Sequence, residues 1–255
     1  MSQPARLLRV AAMADIHYRT THGESLAPVF AQISDQADVL LLCGDLTDYG
    51  LPDEAQIVAK ELATVRIPVL VVFGNHDYQS NKQADIRKIL TDTGVRVLDG
   101  EACEIGGVGF AGCKGFCGGF GTRTLEPWGE PIIKAFVQEA LEETLKLESA
   151  LARLRTRQRV AVLHYAPIQA TVEGEPPEIF AFLGSSRLED PINRYGVHSV
   201  FHGHAHRGAP EGATRAGIPV YNVSVSLLRR QFPDQPPFRI VEIPVEDEAD
   251  EPATN

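Results

Sequence analysis

The chain has 255 residues and a formal net charge of −10, with a pI near 5.3. That length holds a sizeable core, in one large domain or two small ones, and the acidity excludes the broad basic surface of a protein that grips nucleic acid by charge alone. Hydrophobic residues are 44% and charged residues 23% of the chain, ordinary for a soluble globular protein, and no apolar stretch nears the ~20 residues of a membrane span.

In chain order, residues 7–13 predict a strand and 24–36 a helix. The short polar start runs straight into that strand, so no secretory signal is read and a cytoplasmic location is expected. Residues 39–43 are almost wholly apolar, the pattern of a strand buried on both faces. The next helix, 53–65, carries Ala55, Val58, Leu62 and Val65 at three-to-four spacing. A second buried strand is expected at 69–73, then a helix between Ser80 as N-cap and Gly94 as its stop, then a short strand at 95–98. Further on, 108–113, 160–164, 197–201, 220–225 and 238–243 read as strands. A long helix, 131–156, separates the first two of these and places Glu139/Glu143 and Glu142/Lys146 at neighbouring helical positions. A shorter one, 188–195, ends at Gly196. No repeat or linker interrupts this order. Residues 1–245 are therefore read as one α/β domain with two packed sheets and outer helices, and 246–255 as a solvated, disordered acidic tail.

Five short segments stand out, four of them just after an apolar run: Asp15-x-His17, Gly44-Asp45, Gly74-Asn75-His76-Asp77, His164 and Gly203-His204-Ala205-His206. Their oxygens and imidazoles suit Mn, Fe and Zn ions. Ligands at the carboxyl ends of neighbouring strands converge on one crevice. The set is large enough for two ions, and a close metal pair is a phosphoryl-transfer device. Taken singly, each fragment has an ordinary reading as a core histidine, an Asp helix cap or a glycine turn. Those readings would have to coincide at every segment, in this order, to explain the set.

With G-H-A-H last, the five segments resemble the calcineurin-like metallophosphoesterase family over about residues 7–223. The resemblance implies a four-layer α/β/β/α sandwich of two mixed sheets flanked by helices, with the metal site at the carboxyl ends of the strands. It implies that Asp15, His17 and His206 hold one metal, that Asn75, His164 and His204 hold a second, and that Asp45 bridges both. His76 would stay off the metals and protonate the leaving group, with Asp77 orienting it. The implied cofactors are two ions, Mn or Fe, with Zn as the alternative. The implied activity is a phosphohydrolase in which hydroxide between the metals attacks phosphorus. A phosphodiesterase is the first reading and a phosphomonoesterase, on nucleotides or a phosphoprotein, the second. A scaffold without activity and a nuclease rank below them. The expected partner is a small phosphate ester, with no membrane and no broad nucleic-acid surface.

Residues 112–130 are rich in glycine and hold Phe116, Phe120 and Trp128. One reading makes them a lid, with Lys114 or Arg123 on a phosphate; the other makes them a surface loop pinned by its aromatics. Arg123 and His22 are taken forward as substrate contacts, and Arg19 as part of a solvated loop. Tyr165 stands where cyclic-nucleotide enzymes of the family often carry a second histidine, which weakens that substrate class. Residues 172–178 read as a second, acidic loop near the site. Cys43, Cys103, Cys113 and Cys117 are expected as reduced thiols, because Cys113-x3-Cys117 with Cys103 lacks the fourth ligand of a structural zinc site.

Overall fold

A computed structural model of the protein describes residues 6–21 and 24–245. The acidic tail and His22 lie outside these residues. Strand and helix alternate first: β1 (Arg6–Met13), α1 (Ala27–Gln36), β2 (Val39–Cys43), α2 (Pro52–Leu62), β3 (Val69–Val72), α3 (Gln83–Thr91) and β4 (Arg96–Val97). β1 to β4 are parallel neighbours in that order. The second part holds β5 (Glu101–Ile105), β6 (Val108–Gly112), α4 (Pro131–Arg153), β7 (Gln158–Val162), α5 (Phe180–Leu183), α6 (Glu189–Arg194), β8 (Ser199–His202), β9 (Glu211–Ala213) and β10 (Pro219–Asn222). These strands form a sheet in the order β5-β6-β7-β8-β10-β9, parallel inside with antiparallel edges. The chain closes with α7 (Val225–Gln231) and β11 (Arg239–Val245), which returns to pair antiparallel with β1.

The period-two alternation of the strands sorts side chains into layers. Ala11, Met13, Leu40, Leu42, Val69 and Val71 pack under Phe30, Ile33, Val58 and Ile86 of the first three helices. Their alternate neighbours, Val10, Ala12, Leu41, Leu70 and Val72, meet Val108, Phe110, Val160, Val162 and Phe201 of the other sheet. On the far side Ala111, Ala161 and Val200 carry Leu147, Leu151 and Ile192 of α4 and α6. The result is the expected α/β/β/α sandwich of two mixed sheets.

Several elements differ from the sequence reading: α5, β9 and α7 were not expected, and three further differences have a local cause. Ser80 does not cap α3: its hydroxyl donates to the Tyr49 carbonyl, and the helix starts at Gln83 after Lys82. The strand predicted over 220–225 stops at Asn222, whose side-chain oxygen accepts from the Ser224 amide; this Asx turn hands Val225 to α7. The edge strand β5, not expected, joins β6 through Gly106-Gly107 at φ +60° and +88°, the two positive angles that a tight type I′ hairpin needs.

Candidate metal centre

The carboxyl ends of β1, β2, β3, β7 and β8 meet at one place, and each is followed within a few residues by one of the five segments. Among the described residues five non-glycine residues have positive φ. Four of them are Asp15 (58°), His17 (44°), Asp45 (51°) and His204 (68°). A left-handed backbone is costly for such side chains and persists where the surroundings impose it. Close approach explains two of the glycines. A Cβ on Gly74 would lie 2.1 Å from Asp45 Oδ1, and one on Gly44 would lie 2.4 Å from His164 Nδ1.

The structure gathers Asp15, His17, Asp45, Asn75, His164, His204 and His206 into one cluster. Three overlapping sets, Asp15/His17/His206, His17/Asp45/His76 and Asp45/His164/His204, each bring their ligand atoms within 4.8 Å of one another. Asp45 stands between them, with Oδ1 3.4 Å from His164 Nε2 and Oδ2 3.8 Å from His17 Nε2. His206 Nε2 lies 3.2 Å from Asp15 Oδ1, and the His204 amide donates to both Asp15 oxygens at 3.1 Å.

The donor set fits metal ions. Both ring nitrogens of His17 are buried without a hydrogen-bond partner among the described residues. His164 gives its Nδ1 proton to the Cys43 carbonyl at 3.0 Å, so its Nε2 lone pair faces Asn75 Oδ1 at 3.0 Å, acceptor against acceptor. His204 gives its Nε2 proton to the Phe182 carbonyl at 3.1 Å, which leaves Nδ1 as its lone-pair nitrogen. A carbonyl partner on one ring nitrogen is the usual way of fixing a ligand tautomer. Burial pushes His17 down to about 4 and lowers His164 and His204 as well, so all three stay neutral, as ligands must. Burial, then the charges of Asp15 and Asp77, push the Asp45 carboxyl well up. Burial also raises Asp15, but the hydrogen bond from His206 and the nearby imidazoles outweigh it and hold that carboxyl low.

The surroundings of His76 correct one expectation. Asp77 does not orient that ring. Its buried carboxylate accepts from the Leu46, Thr47 and Gly74 amides at 3.3, 2.9 and 2.8 Å and from the Thr47 hydroxyl at 2.6 Å. Asp77 thus ties the turn after β3 to the turn after β2. The His76 ring instead donates from Nδ1 to the Asp48 carbonyl at 2.6 Å, and its ring lies 4.5 Å from that of His17. The Asp48 carboxylate is 3.5 Å from His17 Nδ1 and is held by Arg19 Nε at 2.7 Å. Arg19 is therefore engaged rather than loosely solvated. Asp48 was not singled out in the sequence, although an acid three residues beyond Asp45 in the same loop was the available signal.

Tyr165 is buried with its ring 4.5 Å from that of His204 and 5.4 Å from that of His164. Both His164 and Tyr165 hang their amides on the Lys114 carbonyl. The Lys114 ammonium is buried over the Phe116 ring at 4.7 Å, donates to the Gly115 carbonyl at 2.9 Å and lies 3.6 Å from Glu139. Phe116 and Phe120 pin the glycine-rich stretch inward, while Trp128 is 64% exposed. Arg123 is exposed on the turn Gly121–Arg123, and among the described residues no hydrogen bond or ion pair joins it to the cluster. All four cysteines are free. Among the described residues no helix is long and apolar enough to cross a membrane.

A family model described as calcineurin-like phosphoesterase matches residues 8–208. The crystal structure of phosphopantetheinyl hydrolase from Mycobacterium tuberculosis resembles the chain with a TM-score of 0.67 at 18% identity, over 96% of this chain and 98% of that one. That of a Thermus thermophilus protein, TT1561, gives 0.55 at 15% identity, over 94% and 100%. At these identities the likeness is one of fold. No curated protein matches the chain at a significant level.

Proposed function

As the chain belongs to the calcineurin-like phosphoesterase family, metal-dependent hydrolases of phosphate esters, we propose that it is a dinuclear phosphodiesterase acting on a small ester. Phosphomonoesters are the second substrate class. The observation that carries this reading is Asp45, whose two oxygens address His164 on one side and His17 on the other. Asp15, His17 and His206 would hold one ion, Asn75, His164 and His204 the other, and Asp45 would serve both. Mn or Fe suits this oxygen and imidazole set, with Zn as the alternative. When bound, such a pair supplies Lewis-acid stabilisation of phosphoryl charge and activation of water.

The remaining work falls to the chain's own side chains. His76 is about one-third exposed (34%) and commits Nδ1 to the Asp48 carbonyl. In the doubly protonated ring Nε2 is then the atom that would hand a proton to the leaving oxygen, leaving the neutral ring with its Nδ1 proton on the Asp48 carbonyl. Asp77 keeps the two turns in register so that His76 and Asp45 stay together. A diester is favoured by the space beside the cluster: a cavity of about 260 Å³ opens against His17, room for a second ester arm that a monoester does not have. The four free cysteines fit a reducing, cytoplasmic compartment.

Hydrolysis of bis-p-nitrophenyl phosphate against p-nitrophenyl phosphate, with added Mn²⁺ and with a chelator, tests this. Turnover that needs the metal and prefers the diester is expected. Preference for the monoester would move the assignment to a phosphatase. No turnover of either ester by protein carrying two ions would favour a scaffold.

A further inference from the structure

The cavity beside His17 has two kinds of wall. Leu26 and Val225 are buried there, and Ile16 is half-buried, giving an apolar floor. Arg19 and Arg229 stand at the mouth together with Glu24. Arg19 pairs with the Asp48 carboxylate, Nε lying 2.7 Å from it, and its side chain is 56% exposed. Arg229 meets Glu24 through one amino group at 3.0 Å, and the two side chains are 48% and 74% exposed. An exposed pair of that kind is weakly held and readily exchanged for a better acceptor. Two guanidinium groups thus line one small space, Arg19 paired with the buried Asp48 and Arg229 with the exposed Glu24, which can swing away.

We infer that this cavity receives the second ester arm of the substrate, and that the arm ends in an anionic oxygen group, a carboxylate or a phosphate, taken up by Arg229 with Arg19. The inference rests on the diester reading above. Planar guanidinium groups match such anions with paired N–H donors, which a neutral amide cannot exploit equally. The volume, near the lower end of the roughly 300–1,000 Å³ of small-ligand sites, limits the arm to a few heavy atoms with an apolar middle. Arg19 is the poorer residue to vary, because its partner Asp48 also supports His76.

Three p-nitrophenyl phosphodiesters test the assignment, alike except that the second arm ends in a carboxylate, a phosphate or a carboxamide. They are compared on the Mn²⁺-loaded protein and on Arg229→Gln. The wild type should favour an anionic arm over the carboxamide about tenfold or more in kcat/KM, chiefly through KM, as charge-assisted hydrogen bonds do. In Arg229→Gln that ratio should fall towards one, and whichever anionic arm loses more names the group. Equal kcat/KM for the three arms in the wild type, or a preference that survives in Arg229→Gln, would overturn the inference. Calorimetric binding of the same three diesters separates it from the diesterase reading. An Arg229-dependent difference in Kd without turnover leaves the cavity assignment standing and removes the diesterase; equal Kd values remove the cavity assignment whatever the turnover.

Discussion

The two sheets deliver their residues to the cluster by different means. From the first sheet, the turns after β1, β2 and β3 brace one another: the Asp15 and His17 amides donate to Gly44 and Asp45 carbonyls at 3.0 Å, and Asp77 binds Leu46, Thr47 and Gly74. From the second sheet, His164 and His204 are steadied by carbonyls that come from long excursions, Lys114 on the segment after β6 and Phe182 on α5. The first arrangement is braced largely from within its own sheet, with the His204 amide on Asp15 and the His164 ring on the Cys43 carbonyl as its links to the other, and can fix a geometry common to every substrate. The second ties ligand positions to the segments that shape the cleft, so reaction and selectivity share parts there.

The largest test of this contrast is Asp45→Asn. It removes the charge that stands between both halves of the cluster, so turnover should fall to background for diester and monoester alike. Metal content, read by elemental analysis, should fall with it. An Asp45→Asn protein that keeps two ions and its activity would break the bridging role and with it the primacy of the first-sheet turns.

His76→Ala should retain the metals and lose about 10²–10⁴ in kcat on an ester with a poor leaving group, the usual contribution of a placed acid. The loss should shrink for p-nitrophenolate, which leaves without a proton. Full activity of the variant on a poor leaving group would remove the acid role. Gly74→Ala probes the bracing itself. The new methyl would sit 2.1 Å from Asp45 Oδ1 and 2.7 Å from His164 Cε1, so the carboxylate must move. Mn²⁺ affinity should drop about 10–100-fold, comparable to losing an orienting partner of a ligand. Unchanged affinity would mean that the turns are more forgiving than their hydrogen bonds imply.

What could be read from residues alone follows the same division. Strands buried on both faces, such as Val39–Cys43, announce themselves by composition, and the ligand segments stand within a few residues of strand ends. The cluster residues were therefore legible by type and order. Their orientation was not, because it depends on which backbone atom comes near in space. The sequence neighbour Asp77 was the natural partner for His76, yet the Asp48 carbonyl takes the ring. The half-exposed edge strand β5 carries too few apolar residues to show a period, although Gly106-Gly107 was a readable hairpin signal. In the stretch 112–130 Phe116 and Phe120 anchor inward as one reading had it while Trp128 stays exposed, and the residue whose carbonyl takes the His164 and Tyr165 amides is Lys114, with Arg123 left outside.

The smallest effect is expected at Glu143, and it separates support from chemistry in the second-sheet excursions. Spacing along α4 places Glu143 one turn from Glu139, and in the fold it is 1% exposed. Its carboxylate accepts from the Gly115 amide at 2.8 Å and from the Lys146 ammonium at 2.7 Å, and Lys146 also reaches Asp99 at 2.9 Å. Glu143 thereby fastens the glycine-rich segment to the helix that carries it. Glu143→Gln keeps the shape but retains one acceptor oxygen for two donors and turns an amide N–H₂ towards the other. Stability should fall by about 1–3 kcal/mol, the cost of an unsatisfied buried polar group. At roughly 2–4 °C per kcal/mol for a chain of this size, a thermal melt would resolve it. Metal content and kcat on a small ester should stay level. A fall in kcat at an unchanged melting temperature would make the excursion part of the reaction geometry, and the contrast between the two sheets would then be one of degree.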